Sequence, residues 1–140
     1  MASPDDYLYE YAVIRYMPHV ERGEFINVGL LMMCKRRRWI HCEIHLDPDR
    51  LRIFDPEVDI EALRQQLSLF EHKDVPGRDL PIEERYRWLT AAKSAVLQTG
   101  PSHPGIALCS KEDATDKSFS ADPLAPLHST FSRLMNTLVK

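Results

Sequence analysis

No apolar run in the sequence approaches the roughly 20 residues that a bilayer crossing needs. The opening residues Met1-Ala2-Ser3-Pro4-Asp5-Asp6 are polar and acidic, where a secretory leader would be basic and then apolar. A membrane partner is therefore not expected. A basic surplus is missing as well: the formal net charge is −3 and the pI about 6.1, which lacks the footprint of a polyanion binder. Cysteine is scarce. Cys34, Cys42 and Cys109 sit inside apolar patterns without metal-ligand spacing, which reads as reduced, buried thiols in a cytoplasmic protein. The chain also lacks a glycine-rich phosphate loop, a serine in a nucleophile elbow and any internal repeat. No cofactor is implied, and no reaction is legible.

What is present suffices for one domain over residues 1–140, with enough apolar content for a core. The centre of the pattern is residues 24–34, Glu24-Phe25-Ile26-Asn27-Val28-Gly29-Leu30-Leu31-Met32-Met33-Cys34. A run this apolar reads as a strand covered on both faces, hence central in a sheet. Before it, Tyr7 to Met17 is rich in aromatic and β-branched residues and stops at Pro18, which predicts a strand. After it, Trp39 to Leu46 alternates: Ile40, Cys42, Ile44 and Leu46 lie on one face, His41, Glu43 and His45 on the other.

The register follows if Ile26, Val28, Leu30, Met32 and Cys34 share a face with Ile40, Cys42, Ile44 and Leu46. The connecting loop must then have odd length, and Arg36-Arg37-Arg38 pairs Met32 with Cys42 and Leu30 with Ile44. A turn through Pro18 to Gly23 puts Arg15 opposite Asn27, so that Arg15, Asn27, His45 and Asp47 gather at one end of one face.

Asp55-Pro56 has the residues of a helix start, and Ile60, Leu63, Leu67 and Phe70 continue it at helical spacing to about His72. Residues 81–89 predict a short helix with acidic residues in its first turn. Ser94 to Gln98 reads as a strand, 99–105 as a rigid turn and Ile106 to Cys109 as another short strand. Residues 1–6 are expected to be flexible and 110–121 to be a mobile loop. Asp122-Pro123 starts a last amphipathic helix carrying Leu124, Leu127, Phe131, Leu134 and Leu138. The expected fold is α+β: an antiparallel sheet, a three-stranded meander plus one or two later strands, packed against two or three helices.

Two stretches carry a family resemblance. Tyr11-Ala12-Val13-Ile14-Arg15-Tyr16, Pro18 and Arg22 to Gly29 resemble the opening signature of the bacterial DUF3037 family. Arg85-Tyr86-Arg87-Trp88-Leu89-Thr90-Ala91, with Ser94, Gln98, Pro101, His103 and Gly105, is similar to its second block. The chain departs from the family at Gly100, where serine is more usual, and at 110–121, which looks like an insertion. The resemblance implies an uncharacterised protein whose relatives are often encoded beside a HipA-like kinase, hence a partner or accessory role.

Among the residues themselves, Arg22, Glu24 and Asn27 could hold an anionic group, since Arg presents a planar fork of donors. The structural reading is that Arg22 and Glu24 brace a loop and Asn27 satisfies backbone. Arg85, Arg87 and Trp88 could stack on an anionic or planar ligand, with Ser94, Gln98, Ser102 and His103 lining the same cleft. The bland reading makes Trp88 core and pairs the arginines with nearby carboxylates. His41, Glu43 and His45 share a strand face at about 7 Å per step, too far for the outer pair to chelate together, so no metal is expected. Lys35 to Arg38 reads as a charged hairpin end rather than a nucleic-acid contact.

Two functions follow. The first is a non-enzymatic binding or accessory protein using Arg15, Arg22, Glu24 and Asn27 at the polar end of the sheet, together with the Arg85–Trp88 helix. The alternative is a small enzyme or phosphate-binding protein in which Arg22, Glu24, Arg85 and His103 converge, with Glu24 as general base.

Overall fold

The computed structural model describes residues 7–71, 81–91, 96–107 and 124–140. Its elements are β1 (Leu8–Tyr16), β2 (Ile26–Cys34), β3 (Trp39–Ile44), α1 (Pro48–Phe54), α2 (Ile60–Glu71), α3 (Ile82–Thr90), β4 (Leu97–Thr99), β5 (His103–Ile106) and α4 (Ala125–Leu138). The strands form one antiparallel sheet in the order β3-β2-β1-β4, with β5 also paired to β1. The fold is α+β, opening with the expected three-stranded meander. Among the described residues no helix is long and apolar enough to cross a membrane.

The apolar run does become the interior strand. β2 lies between β1 and β3, and both of its faces are covered. Ile26, Val28, Leu31 and Met33 pack with Leu51 of α1, Leu63, Leu67 and Phe70 of α2, and Tyr86 and Leu89 of α3. Leu30, Met32 and Cys34 turn the other way, onto Leu127, Phe131, Leu134 and Met135 of α4. Each such side chain taken fully out of water contributes about 1.5–3 kcal/mol, so this double coverage is the main source of stability.

The face assignment of β3 is corrected. The pairs are Met33↔Ile40, Met32↔His41 and Leu31↔Cys42, one residue off the expected register, because the connecting turn is Lys35–Arg38 rather than Arg36–Arg38. Arg38 closes it with φ +50°, its N–H bonded to the Lys35 carbonyl at 3.1 Å. Ile40, Cys42 and Ile44 therefore pack on the α1–α3 side. The odd-loop argument required one apolar set on β2, but both of its alternate sets are apolar and buried, so face matching could not choose between registers.

A second irregularity shapes the polar end of the sheet. Register shifts between Ile14↔Gly29 and Arg15↔Asn27, leaving Val28 as the extra residue of a bulge. The bulge keeps Ile26 and Val28 on the same side as Leu31 and Met33. Gly29 is required there: a Cβ would lie 2.7 Å from Ile44 Cδ1 and 3.0 Å from the Glu43 carbonyl.

Two further expectations are corrected. Asp55-Pro56 does not begin a helix. Asp47 caps a separate α1, accepting from the N–H groups of Asp49 and Arg50, and Asp59 caps α2 by accepting from Ala62 N–H. Asp55 instead ends α1 and is buried, where it accepts the Tyr16 hydroxyl. The late strands lie at Leu97–Thr99 and His103–Ile106 rather than 94–98 and 106–109, with part of the expected turn inside β5. Residues 1–6, Ser94, Cys109, 110–121 and Asp122-Pro123 lie outside the described residues.

Candidate functional site

Along β1, Tyr9, Tyr11 and Val13 face α4, while Ile14 and Tyr16 face the other helices. Arg15 continues the α4-facing row. Its neighbours across the sheet are Asn27 on β2 and Gln98 on β4, so three strands place Gln98, Arg15 and Asn27 side by side. His45 follows β3 at this end of the sheet, its N–H bonded to the Val28 carbonyl at 2.8 Å, and the Asp47 carboxylate caps α1.

Asn27 donates its amide to the Leu138 carbonyl at 2.9 Å, and Arg50 Nη1 donates to the Val139 carbonyl at 3.1 Å. These bonds satisfy carbonyls at the end of α4, the negative end of its dipole, which also favours the nearby cations. The Arg15 guanidinium is held from two sides. Its Cζ lies 4.1 Å from the centroid of the Phe25 ring, which comes from the β2 side. From the β4 side comes Gly100, whose backbone approaches so closely that a Cβ would sit 2.9 Å from Arg15 Cζ and Nη2. Arg15 Nε and Asn27 Oδ1 are buried and without a hydrogen-bond partner among the described residues. The terminal nitrogens of Arg15 are not buried and have no acceptor among the described residues.

Arg22 and Glu24 are exposed and share a small hollow of about 110 Å³ with His19, Phe54 and Asp55. Behind it, Asp55 accepts the Tyr16 hydroxyl at 2.7 Å and the Glu57 N–H at 3.2 Å. Burial, and then the bond to and charge of Asp55, push the Tyr16 phenol far above its usual range.

Arg85 lies elsewhere, in a groove of about 360 Å³ beside the edge strand β3, with Ile40, Cys42, Phe70 and Leu89. Its Nε is buried without a partner among the described residues. Arg87 is exposed and paired with Glu83 at 3.0 Å, and Glu83 also meets Lys35 at 3.0 Å. The Lys35 hydrogen bond and charge hold the Glu83 carboxyl below its usual range, with Arg87 adding to the effect. Trp88 is half-buried against the α1–α3 cluster. Ser102 bonds the Tyr86 hydroxyl at 2.7 Å. His103 is exposed on β5, its ring 5.3 Å from that of Tyr11. Arg22 with Glu24, Arg85, and His103 thus occupy three separate places.

Among the described residues no group of three or more His, Cys, Asp or Glu side chains is placed to hold a metal ion. At the basic hairpin tip, the Arg37 guanidinium covers the Tyr7 ring at 4.6 Å. Sequence reasoning missed Phe25 as a neighbour of Arg15, and the end of α4 as what Asn27 and Arg50 bind. Gly100 stood out only as a departure from a pattern, with nothing to connect it to an arginine 85 positions earlier in the chain.

The family model "Protein of unknown function (DUF3037)" matches residues 11–119. The chain belongs to the DUF3037 family. No curated protein and no solved structure matches it. The match in this DUF3037 protein takes in Arg15, Phe25, Asn27, Gln98 and Gly100, whereas α4, whose last carbonyls Asn27 and Arg50 bind, lies beyond it. Chemically, this end of the DUF3037 sheet offers a positioned cation, whose terminal donors have no acceptor among the described residues, between two side-chain amides.

Proposed function

We propose that this DUF3037 protein is a non-enzymatic binding or accessory protein of the bacterial cytoplasm. It holds a partner segment or an anionic group at the polar end of its sheet, and the partner implied by the family resemblance is a HipA-like kinase. One observation carries the reading: Gln98, Arg15 and Asn27, brought together from three strands, present an arginine whose terminal nitrogens lack an acceptor among the described residues. Those nitrogens face outward from a guanidinium packed against Phe25, and an arginine fork positioned in this way suits a carboxylate or phosphate oxygen pair. The enzyme alternative needs Arg22, Glu24, Arg85 and His103 around one reacting atom, and their separate settings give it no support.

The test is co-purification of the tagged protein from its native host, with mass analysis of what remains bound, followed by reconstitution from purified components. A HipA-like kinase retained in stoichiometric amount, and rebinding when purified, is the expected result. A small phosphate-bearing molecule that is retained and then chemically converted by the protein alone overturns the reading.

A further inference from the structure

We infer that Arg15 is an oxyanion anchor, its guanidinium held between Phe25 and Gly100 with the terminal amino groups offered to a carboxylate or phosphate. This names the chemistry recognised by the site proposed above and rests on that reading. An arginine side chain ordinarily carries much rotamer freedom, which must be given up when it binds. Here that freedom is already restricted. The Phe25 ring stacks on the guanidinium at 4.1 Å, and the missing side chain of Gly100 leaves room for it, since a Cβ there would lie 2.9–3.1 Å from Cζ, Nη2 and Nε. With Nε buried, the free directions of the fork belong to the terminal nitrogens. That is the geometry for paired N–H···O bonds to a planar or tetrahedral oxyanion.

The neighbouring helix end would by itself repel an anion. Asn27 and Arg50 take up the carbonyls of Leu138 and Val139, which blunts the negative end of α4 beside the site. Gly100 has no left-handed backbone angle, so alanine is accommodated there by the chain, and only the guanidinium must move. Gly100→Ala therefore keeps the charge of Arg15 while dislodging it, which separates a built anchor from a merely cationic surface.

The experiment is an NMR titration of the intact protein with sodium acetate and, separately, inorganic phosphate at constant ionic strength. It follows the Arg15 side-chain N–H signals and the Phe25 ring in wild type, Gly100→Ala, Arg15→Lys and Phe25→Leu. Saturable shifts centred on Arg15 are expected, with affinity falling roughly tenfold in Arg15→Lys and by about threefold or more in Gly100→Ala. Backbone amide shifts verify that each variant is folded, and Phe25→Leu, at a half-exposed position, supplies an independent disruption of the clamp if another variant unfolds. A response to acetate alone assigns the anchor to carboxylates, to phosphate alone to phosphorylated groups, and to both to oxyanions in general. Equal responses in wild type, Gly100→Ala and Arg15→Lys, or no shift at Arg15 with either anion, overturn the anchor.

The two readings fail differently. A HipA-like kinase bound equally by wild type and Arg15→Lys, with no anion response, removes the anchor and leaves the accessory role. Anion binding at Arg15 together with conversion of a retained phosphate-bearing molecule by the protein alone keeps the anchor and removes the non-enzymatic reading.

Discussion

Replacing Tyr16 with phenylalanine removes one oxygen and leaves the ring in place, so it isolates a single buried bond. The Tyr16 hydroxyl donates to Asp55 Oδ2 at 2.7 Å, and both residues are 7% exposed. Asp55 is also where α1 ends, its N–H bonded to the Leu51 carbonyl at 2.8 Å while Oδ1 takes the Glu57 N–H at 3.2 Å. One carboxylate therefore fastens the α1–α2 junction to the sheet. A hydrogen bond to a charged group contributes about 1.5–3 kcal/mol. The hollow of about 110 Å³ beside Asp55 lets water replace part of what is lost, which points to the lower end of that range. The expected loss is about 1.5–2 kcal/mol, or roughly 4–8 °C in Tm for a chain of this size. Urea denaturation of wild type, Tyr16→Phe, Asp55→Ala and the double variant measures it. An unchanged m-value and a coupling energy close to the single Tyr16→Phe loss are expected. A loss below about 0.5 kcal/mol, the range of ordinary surface substitutions, would refute the reasoning, as would strict additivity.

Gly29→Ala should destabilise by about 1–3 kcal/mol, because the added carbon meets Ile44 and the β3 backbone at the bulge; equilibrium unfolding checks it. Tyr86 is 2% exposed, and its phenol is pushed up to about 12, by burial first and further by the Glu10 charge, against the offsetting Ser102 bond. Because this raised value belongs to the folded state, its stabilisation is complete below the unfolded value near pH 10 and drains away as pH rises towards 12. The alkaline loss, on the order of 2–3 kcal/mol, should shrink in Tyr86→Phe when unfolding is followed from pH 9 upward. Asn27→Ala removes the bond to the Leu138 carbonyl and should cost about 1 kcal/mol, appearing as faster amide exchange in the last turn of α4 before the sheet is affected.

The fold was legible where the pattern allowed one answer. The unbroken run from Ile26 to Cys34 had to be covered on both faces, and it is. The same run hid the register, since a strand apolar on both sides gives no face to match, and a left-handed Arg38 closing a four-residue turn has no glycine to announce it. Asp55 was misread because an Asp-Pro pair carries the composition of a helix start, whereas the burial of Tyr16 decides what that carboxylate does. At the site, local reasoning placed Arg15 opposite Asn27. It could not supply Phe25, Gly100 or the end of α4, because those neighbours are set by the bulge and by contacts distant in sequence.

The most direct test of the central claim is the state of the Arg15 terminal N–H groups in the free protein, observed by low-temperature NMR of the guanidinium nitrogens. The account predicts slow rotation about Nε–Cζ, imposed by Phe25 and Gly100, together with terminal protons that exchange freely with water until an oxyanion is added. Terminal protons already protected in the free protein, with a scalar coupling to a carboxylate of this same chain, would contradict it.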